Sequence, residues 1–398
     1  MHIKYRLNEA ASVMKKAVMY GAGNIGRGFL GKTFSDSGYE VCFIDVAKDI
    51  VDRLNKERSY PVRIVANKQQ REEIVENVRA VDGSDMESVA EEIACADIMA
   101  IAVGVKVLPM IIKPVCAGLR KRFDNNADPL NIIICENLID ADKYIKVLIE
   151  REMGAENNEL LDKNIGLVKA SIGRMVPIMT DKMREGNILR VWVEEYDELP
   201  VDKEAFVGEI PSLNHIIPFS PFGFYIKRKI FIHNMGHAIC AYLGWQKGFS
   251  HIYECVNDDE IRDIVKVGME NVAIALNIEY GVPLHEVMEN VYNLLERFGN
   301  KYLGDTVLRV GRDPIRKLDK NDRLTGAALY CVSYGTEPNS IIKGIASCLR
   351  YNDGKDKEAA KLQQMIKNKG LEATIEQICG LERCTYLFDN IVNQYHTL

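Results

Sequence analysis

The sequence predicts an α/β chain, with a doubly wound parallel sheet in its N-terminal part and a mainly α-helical C-terminal domain. Two observations carry the first half of that expectation. Short apolar runs of strand length alternate with helical patterns, and a glycine-rich turn joins the first run to the first helix. A third carries the second half: beyond about Pro200 apolar residues recur at helical spacing almost to the end. With 398 residues the chain is too long for one ordinary core. The expected domains are 1–200 and 201–398, and a cleft between them is the default place for a substrate.

The elements follow in order. Lys16 to Tyr20 reads as a short buried strand, and Phe29, Leu30 and Phe34 mark a helix that stops at Gly38. Tyr39 to Ile44 is a second strand ending on Asp45, and Val51 to Leu54 lies on the next helix. Ile98 to Val103 is another strand with Val107 to Leu119 helical behind it. Asn131 to Cys135 and Val168 to Ser171 extend the parallel set, while Ile188 to Tyr196 reads as a late strand, either on a sheet edge or facing the second domain. A connection containing Pro200, Pro211, Pro218 and Pro221 leads into helical patterns over Ile261 to Leu276, His285 to Phe298, Lys355 to Asn368 and Leu371 to Cys379. No repeat or low-complexity tract interrupts them.

Composition narrows the class of function. A net charge of −6 with both signs interspersed argues against a general nucleic-acid or membrane-surface binder. Ten cysteines stand singly, with no CxxC pair, as suits free thiols in a reducing cytosol. The start lacks the apolar core of a signal peptide. The most apolar stretch, Ile98 to Leu119, is broken by Lys106, Pro109, Lys113 and Pro114, so its pieces fall short of the roughly 20 residues of a spanning helix. A cytoplasmic protein is expected, and residues 1–15 read as an extension ahead of the first strand.

The glycine loop is the first chemical signal. Gly21, Gly23 and Gly26 match G-x-G-x-x-G, with Asn24 and Ile25 between them and Gly28 following. In the dinucleotide-binding Rossmann arrangement the first glycine makes the turn, the second lets a pyrophosphate approach, and the third allows close helix–strand packing. The pyrophosphate then meets the free N–H groups of the helix N-terminus. Asp45, at the next strand end, stands where a carboxylate binds the ribose hydroxyls of NAD and repels the extra phosphate of NADP. FAD and nucleotide-sugar domains share the fingerprint, and a glycine turn beside a surface aspartate is the plainer reading. The loop therefore implies a dinucleotide and leaves the reaction open.

The second signal is the run from Lys229 through His233 and Asn234 to His237. Read as a helix, it projects His237 between Lys229 and Asn234 on one broad face. Alcohol oxidation needs a base for the hydroxyl proton and polar groups for the developing oxyanion. Lysine serves as that base only when burial or nearby cations bring its pKa towards neutrality, and Lys227 and Arg228 are candidate cations. A solvated basic turn is the competing reading. His233 and His237 also form H-x3-H, a metal pair in other settings, but no third ligand is marked.

With both signals in view, the chain resembles the polyol-specific long-chain dehydrogenases from Lys16 onward. The marks are Gly21 to Phe29, Ala102-Val103-Gly104, Cys135-Glu136-Asn137, Lys227 to Gly244 and Arg297 to Leu318. The resemblance implies NAD in contact with Val103 and Gly104 as well as the glycine loop, and no metal. It implies Lys229 as general acid/base, with Asn234 and His237 polarising the reacting oxygen. Asn137, Arg174 and Arg309 would contact substrate. The chain length fits the phosphate-using branch, so mannitol 1-phosphate and fructose 6-phosphate are the first pair to expect; a small-molecule sugar phosphate is the partner, and the state a monomer or small homo-oligomer. One departure stands out. In the run Ser171 to Pro177, Gly173 occupies the place where the family has an aspartate near substrate. That leaves a free hexitol or a hexuronate as the alternative substrate and a non-catalytic NAD-binding sensor as the alternative class. Arg309, Arg312, Arg316 and Lys317 are the basic candidates for a phosphate grip.

Overall fold

The computed structural model describes residues 14–66 and 69–398; the expectation for 1–15 falls almost wholly outside them. The strands are β1 (Lys16–Tyr20), β2 (Glu40–Asp45), β3 (Ser59–Val65), β4 (Gln70–Glu76), β5 (Val78–Asp82), β6 (Ile98–Ile101), β7 (Leu130–Ile134), β8 (Ile165–Lys169), β9 (Val191–Glu194), β10 (Leu199–Asp202) and β11 (Ile216–Phe219). The chain divides into two compact units. The first comprises Met1–Ile64, Arg71–Val193 and Asp197–Ser220; the second comprises Val65–Gln70, Glu194–Tyr196 and Pro221–Leu398.

In the first unit six strands form one sheet in the order β5-β2-β1-β6-β7-β8. Every recorded pairing in it is parallel. The order reverses between β1 and β6, which makes the carboxyl ends of these strands the switch point where doubly wound sheets bind ligands. Alternation along each strand splits its side chains between the two faces. Ala17 and Met19 of β1 join Phe29, Leu30 and Phe34 in one core. Val18 and Tyr20 join Ile93, Ile112 and Leu119 in the other. Both faces are thus covered, as an all-parallel sheet requires.

The sequence reading missed β3, β4 and β5. Gln70–Glu76 is charged along most of its length, and its outward residues are solvated at the edge of a three-stranded sheet ordered β4-β3-β9. Val78–Asp82 closes one edge of the main sheet and carries Arg79, paired with Glu92, so it lacks an apolar run. The strand expected at Val168 to Ser171 begins earlier, at Ile165, where it pairs with Leu130. The first unit also runs past Pro200, because β10 pairs in parallel with β11 and Val201 bridges to Ala170.

The second unit is helical. Its central helix, Met235–Gln246, buries Met235, Gly236 and every residue from Ala238 to Gly244, and a helix apolar all round belongs in a core. Asp259–Tyr280, Leu284–Phe298 and Asn339–Arg350 are amphipathic by contrast, with buried stripes such as Val287, Val291, Leu294 and Leu295. Asp258 caps the first of these by accepting from the Ile261 N–H (3.1 Å), and Gly281 ends it in the left-handed conformation. Among the described residues no helix is long and apolar enough to cross a membrane. Eight of the ten cysteines are buried, with Cys95 and Cys384 exposed.

Candidate functional site

The expected site residues fall into one group in each unit. In the first, the chain leaves β1 at Gly21, whose φ of +102° is open to few residues other than glycine. The Gly21 N–H donates to the Ile44 carbonyl (2.8 Å). A Cβ on Gly26 would sit inside the Gly21 carbonyl, so the third glycine is fixed by close packing. A Cβ on Gly23 would meet nothing within 4 Å, leaving open space beside the turn. Asn24 and Ile25 begin the helix and are partly exposed. Asp45 closes the far side: Oδ2 accepts from the Ala22 N–H (2.7 Å) and Oδ1 from the Ala47 N–H (2.9 Å).

Arg27 holds this loop from beneath. Its guanidinium donates to the Ala22 carbonyl (2.7 Å) and to those of Leu189 (2.7 Å) and Ile188 (3.1 Å). Burial lowers its pKa to about 10. Arg27 stands inside the glycine motif, but nothing in the spacing marks an arginine that turns inward. Arg174, expected at the substrate, is buried in the same unit. Its Nη1 donates to the Gly28 carbonyl (3.3 Å), and its guanidinium lies over the Phe29 ring at 5.4 Å.

At the ends of β6 and β7 stand Val103, Gly104 and Asn137, the last exposed. Between them lies Glu136, whose Oε1 accepts from both the Val103 N–H (2.8 Å) and the Gly104 N–H (2.9 Å). Burial raises the pKa of that carboxyl, opposed by the two amide hydrogen bonds. The available signal was an acid directly after a buried strand and before a candidate site residue.

In the second unit Lys229, Asn234 and His237 lie on one continuous helical stretch. It runs as α-helix over Gly223–Lys227, as π-helix over Arg228–Asn234 and as α-helix from Met235. This changes the geometry expected from the spacing. In an α-helix, residues five apart are about 140° out of register. A π turn bonds i to i+5, so it brings Lys229 and Asn234 to the same side, and one α turn then brings His237 alongside. The glycine-loop helix carries a second π segment, Gly26–Gly31.

His237 stacks on Phe298, with centroids 4.9 Å apart and planes 12° apart, and His233 meets the same ring edge-on at 5.7 Å. Burial, with Arg309, Arg323 and Lys317 adding their charge, lowers the His237 pKa to about 3. Burial, Arg297, His237, Lys229 and Arg323 drive that of His233 well below its ordinary value. Both imidazoles are therefore neutral near pH 7. Asp305 Oδ2 lies 3.3 Å from His237 Nε2, and Arg309 forms an ion pair with the same carboxylate. The proposed cation Lys227 does not act as a bare charge: Glu279 holds its ammonium at 2.5 and 2.6 Å, between the rings of Tyr280 and Tyr330. Arg228 lies over Tyr225 at 4.4 Å. Among the described residues no group of three or more His, Cys, Asp and Glu side chains could hold a metal ion.

The basic candidates separate by burial. Arg316 is half exposed and paired with Asp313 and Asp322. Lys317 is 5% exposed, donates to the Arg312 carbonyl, and is lowered to about 8 chiefly by burial and Arg323.

Both halves match family models. Residues 15–215 match the mannitol dehydrogenase Rossmann domain, and residues 223–398 match the mannitol dehydrogenase C-terminal domain. The chain belongs to the mannitol dehydrogenase family. Within the family it is 38% identical to a mannitol-1-phosphate 5-dehydrogenase of Thermoanaerobacter pseudethanolicus, over 97% of this chain and 98% of the relative. It is 37% identical to the protein of that name from Oceanobacillus iheyensis, over 97% and 99%. Among solved structures it is similar to a substrate-free D-sorbitol dehydrogenase, with a TM-score of 0.83 at 14% identity over 96% of this chain and 93% of that one. A Pseudomonas fluorescens mannitol 2-dehydrogenase in ternary complex with NAD and D-mannitol gives 0.72 at 14% identity, over 98% and 92%. These two likenesses show that the family's fold is shared. The Asp305 and Glu136 contacts lie inside the family-like runs noted above, but spacing alone does not say which acid in such a run faces a histidine or an amide.

Proposed function

We propose that this chain, by family an NAD-dependent polyol dehydrogenase, interconverts a sugar-alcohol phosphate and a ketose phosphate, with mannitol 1-phosphate and fructose 6-phosphate as the first pair. One observation carries the phosphate: Arg309 meets His237 across the shared Asp305 carboxylate, with Lys317 and Arg323 adding positive charge at the imidazole and Glu194 opposing it. A cluster of cations around a reacting-oxygen candidate suits a dianionic substrate better than a neutral hexitol. Support for the phosphate also comes from the names of the two relatives above.

The glycine loop fits the dinucleotide: Gly23 leaves room for a pyrophosphate, and Asp45 stands at the neighbouring strand end for the ribose. NAD supplies the hydride acceptor or donor, and the rest is the work of this chain's side chains. Lys229 takes the proton from the reacting hydroxyl in oxidation and returns it in reduction, so no metal is needed for that step. The Asn234 amide donates to the developing oxyanion. His237 stays neutral and orients the same oxygen without competing for the proton, because burial keeps its pKa far below the working range. Asn137 adds a polar contact from the end of its strand.

The test follows NADH absorbance with fructose 6-phosphate, free fructose and a hexuronate. Turnover of the phosphate at a kcat/KM at least tenfold above the others supports the reading; a preference for free fructose or the hexuronate overturns the substrate class. Lys229→Ala is expected to lower kcat by roughly 10²–10⁴-fold. Near-normal turnover in that variant ends the acid/base assignment, and absence of turnover with every substrate in a wild-type protein that binds NADH favours a sensor.

A further inference from the structure

We propose that Glu136 is a positioning residue: one carboxylate oxygen fixes the loop after β6 and ties it to the turn that carries Asn137. The inference rests on the dehydrogenase reading above and adds a part to it.

The geometry is specific. The loop after β6 turns sharply at Gly104, where φ is +91°. The successive Val103 and Gly104 N–H groups therefore converge on one point, as in the backbone nests that bind anions. Glu136 Oε1 sits at that point, 2.8 and 2.9 Å from the two nitrogens. The carboxylate comes from the neighbouring parallel strand, which is held in register by the Cys135 N–H donating to the Ile101 carbonyl (2.9 Å). The Val103 N–H is half-buried and the Gly104 N–H is exposed, and removing the shared acceptor takes from both the protein partner that holds them on one point. The loops after β6 and β7 then lose the side-chain tie that Glu136 makes between them. Both loops stand at the carboxyl edge of the sheet, one beside its switch point, where a dinucleotide's nicotinamide end is expected. Their separation sets the distance between what Val103 and Gly104 touch and what Asn137 touches.

Fluorescence titration with NADH tests this without any polyol, and steady-state kinetics adds the KM-against-kcat split. Glu136→Gln keeps an acceptor oxygen in place and is expected to bind NADH within about threefold of wild type. Glu136→Ala is expected to weaken NADH binding about tenfold or more and to lower kcat, with Glu136→Asp between them. The inference is overturned when the alanine variant binds NADH as wild type does, or when the glutamine variant is as impaired as the alanine variant. It is also overturned when losses simply follow a fall in Tm across the three variants. Should the alanine variant fail to fold, the Gln-to-Asp comparison decides. A graded NADH response in a protein that turns over no polyol phosphate sinks the substrate reading and leaves this one standing; a wild type that does not bind NADH sinks both.

Discussion

His237 Nε2 lies 3.3 Å from Asp305 Oδ2, and the same carboxylate is ion-paired to Arg309. Asp305 is therefore shared between His237, proposed above to orient the reacting oxygen, and Arg309, a candidate substrate contact. With the imidazole neutral, a carboxylate beside Nε2 favours the tautomer that carries its proton there, which leaves Nδ1 as an acceptor. Asp305→Asn removes that charge and frees Arg309. The expected outcome is a kcat about tenfold lower or more, a changed KM for the ketose phosphate, and NADH binding unaltered. Equal kcat in the two proteins would show that the histidine needs no such partner.

A second prediction concerns acid stability. The folded-state pKa values of His233 and His237 are depressed, that of His237 to about 3, by burial first and neighbouring cations second. The unfolded chain binds these protons near pH 6.5 and the folded chain does not. The stability these groups contribute is thus full above about pH 6.5 and is lost as pH falls towards the folded values, at no more than about 1.4 kcal/mol per pH unit for each. Carboxylates contribute to the same slope, so the decisive measurement is a difference. His233→Phe keeps a ring against Phe298 and removes one titration; its Tm is expected to fall less than that of wild type between pH 7 and pH 5. Parallel Tm curves would remove His233 from the account.

How much of this was legible in the sequence depends on whether a feature is local. The strand β1, the glycine turn and Asp45 are read from a stretch of neighbours, and each stands where its spacing placed it. The helices of the second unit declare themselves by period, with Leu371–Cys379 matching the sequence reading end to end. Lys229, Asn234 and His237 stand out in the sequence as residue types, but their placement along one side of the helix depends on a π turn that spacing alone does not reveal. Lys227 read as a free cation because its partner Glu279 lies far along the chain. Arg27, Glu136 and Asp305 escaped for the same reason: each acts through a partner brought near only by the fold. Strand β5 was hidden because one of its residues makes an ion pair in place of an apolar contact.

Asp45 offers a cofactor test. Both of its oxygens accept backbone hydrogen bonds, from Ala22 and Ala47, so the carboxylate is fixed at the end of β2. In Asp45→Asn one oxygen becomes an NH2 group facing a backbone donor, and the negative charge that repels a 2′-phosphate disappears. KM for NAD is expected to rise about tenfold, and the NAD-to-NADP ratio of kcat/KM to fall by at least as much. An unchanged ratio in the variant would move the source of cofactor selectivity away from Asp45.

Lys317 makes the phosphate question answerable by pH alone. Its ammonium is buried, donates to the Arg312 carbonyl, and is lowered to about 8 by burial and then by Arg323. Below that pH it is charged and adds to the attraction for a phosphate; above it the lysine is neutral and the attraction weakens. KM for fructose 6-phosphate is therefore expected to climb between pH 7 and pH 9, while KM for free fructose stays level. The proton transfer proposed for Lys229 is common to both substrates, so comparing their KM profiles isolates the phosphate grip. Lys317→Met should start with the higher KM and lose the climb. If the two substrates instead give parallel KM profiles in wild type, Lys317 does not face the phosphate, and the cations around His237 serve only to keep its imidazole neutral.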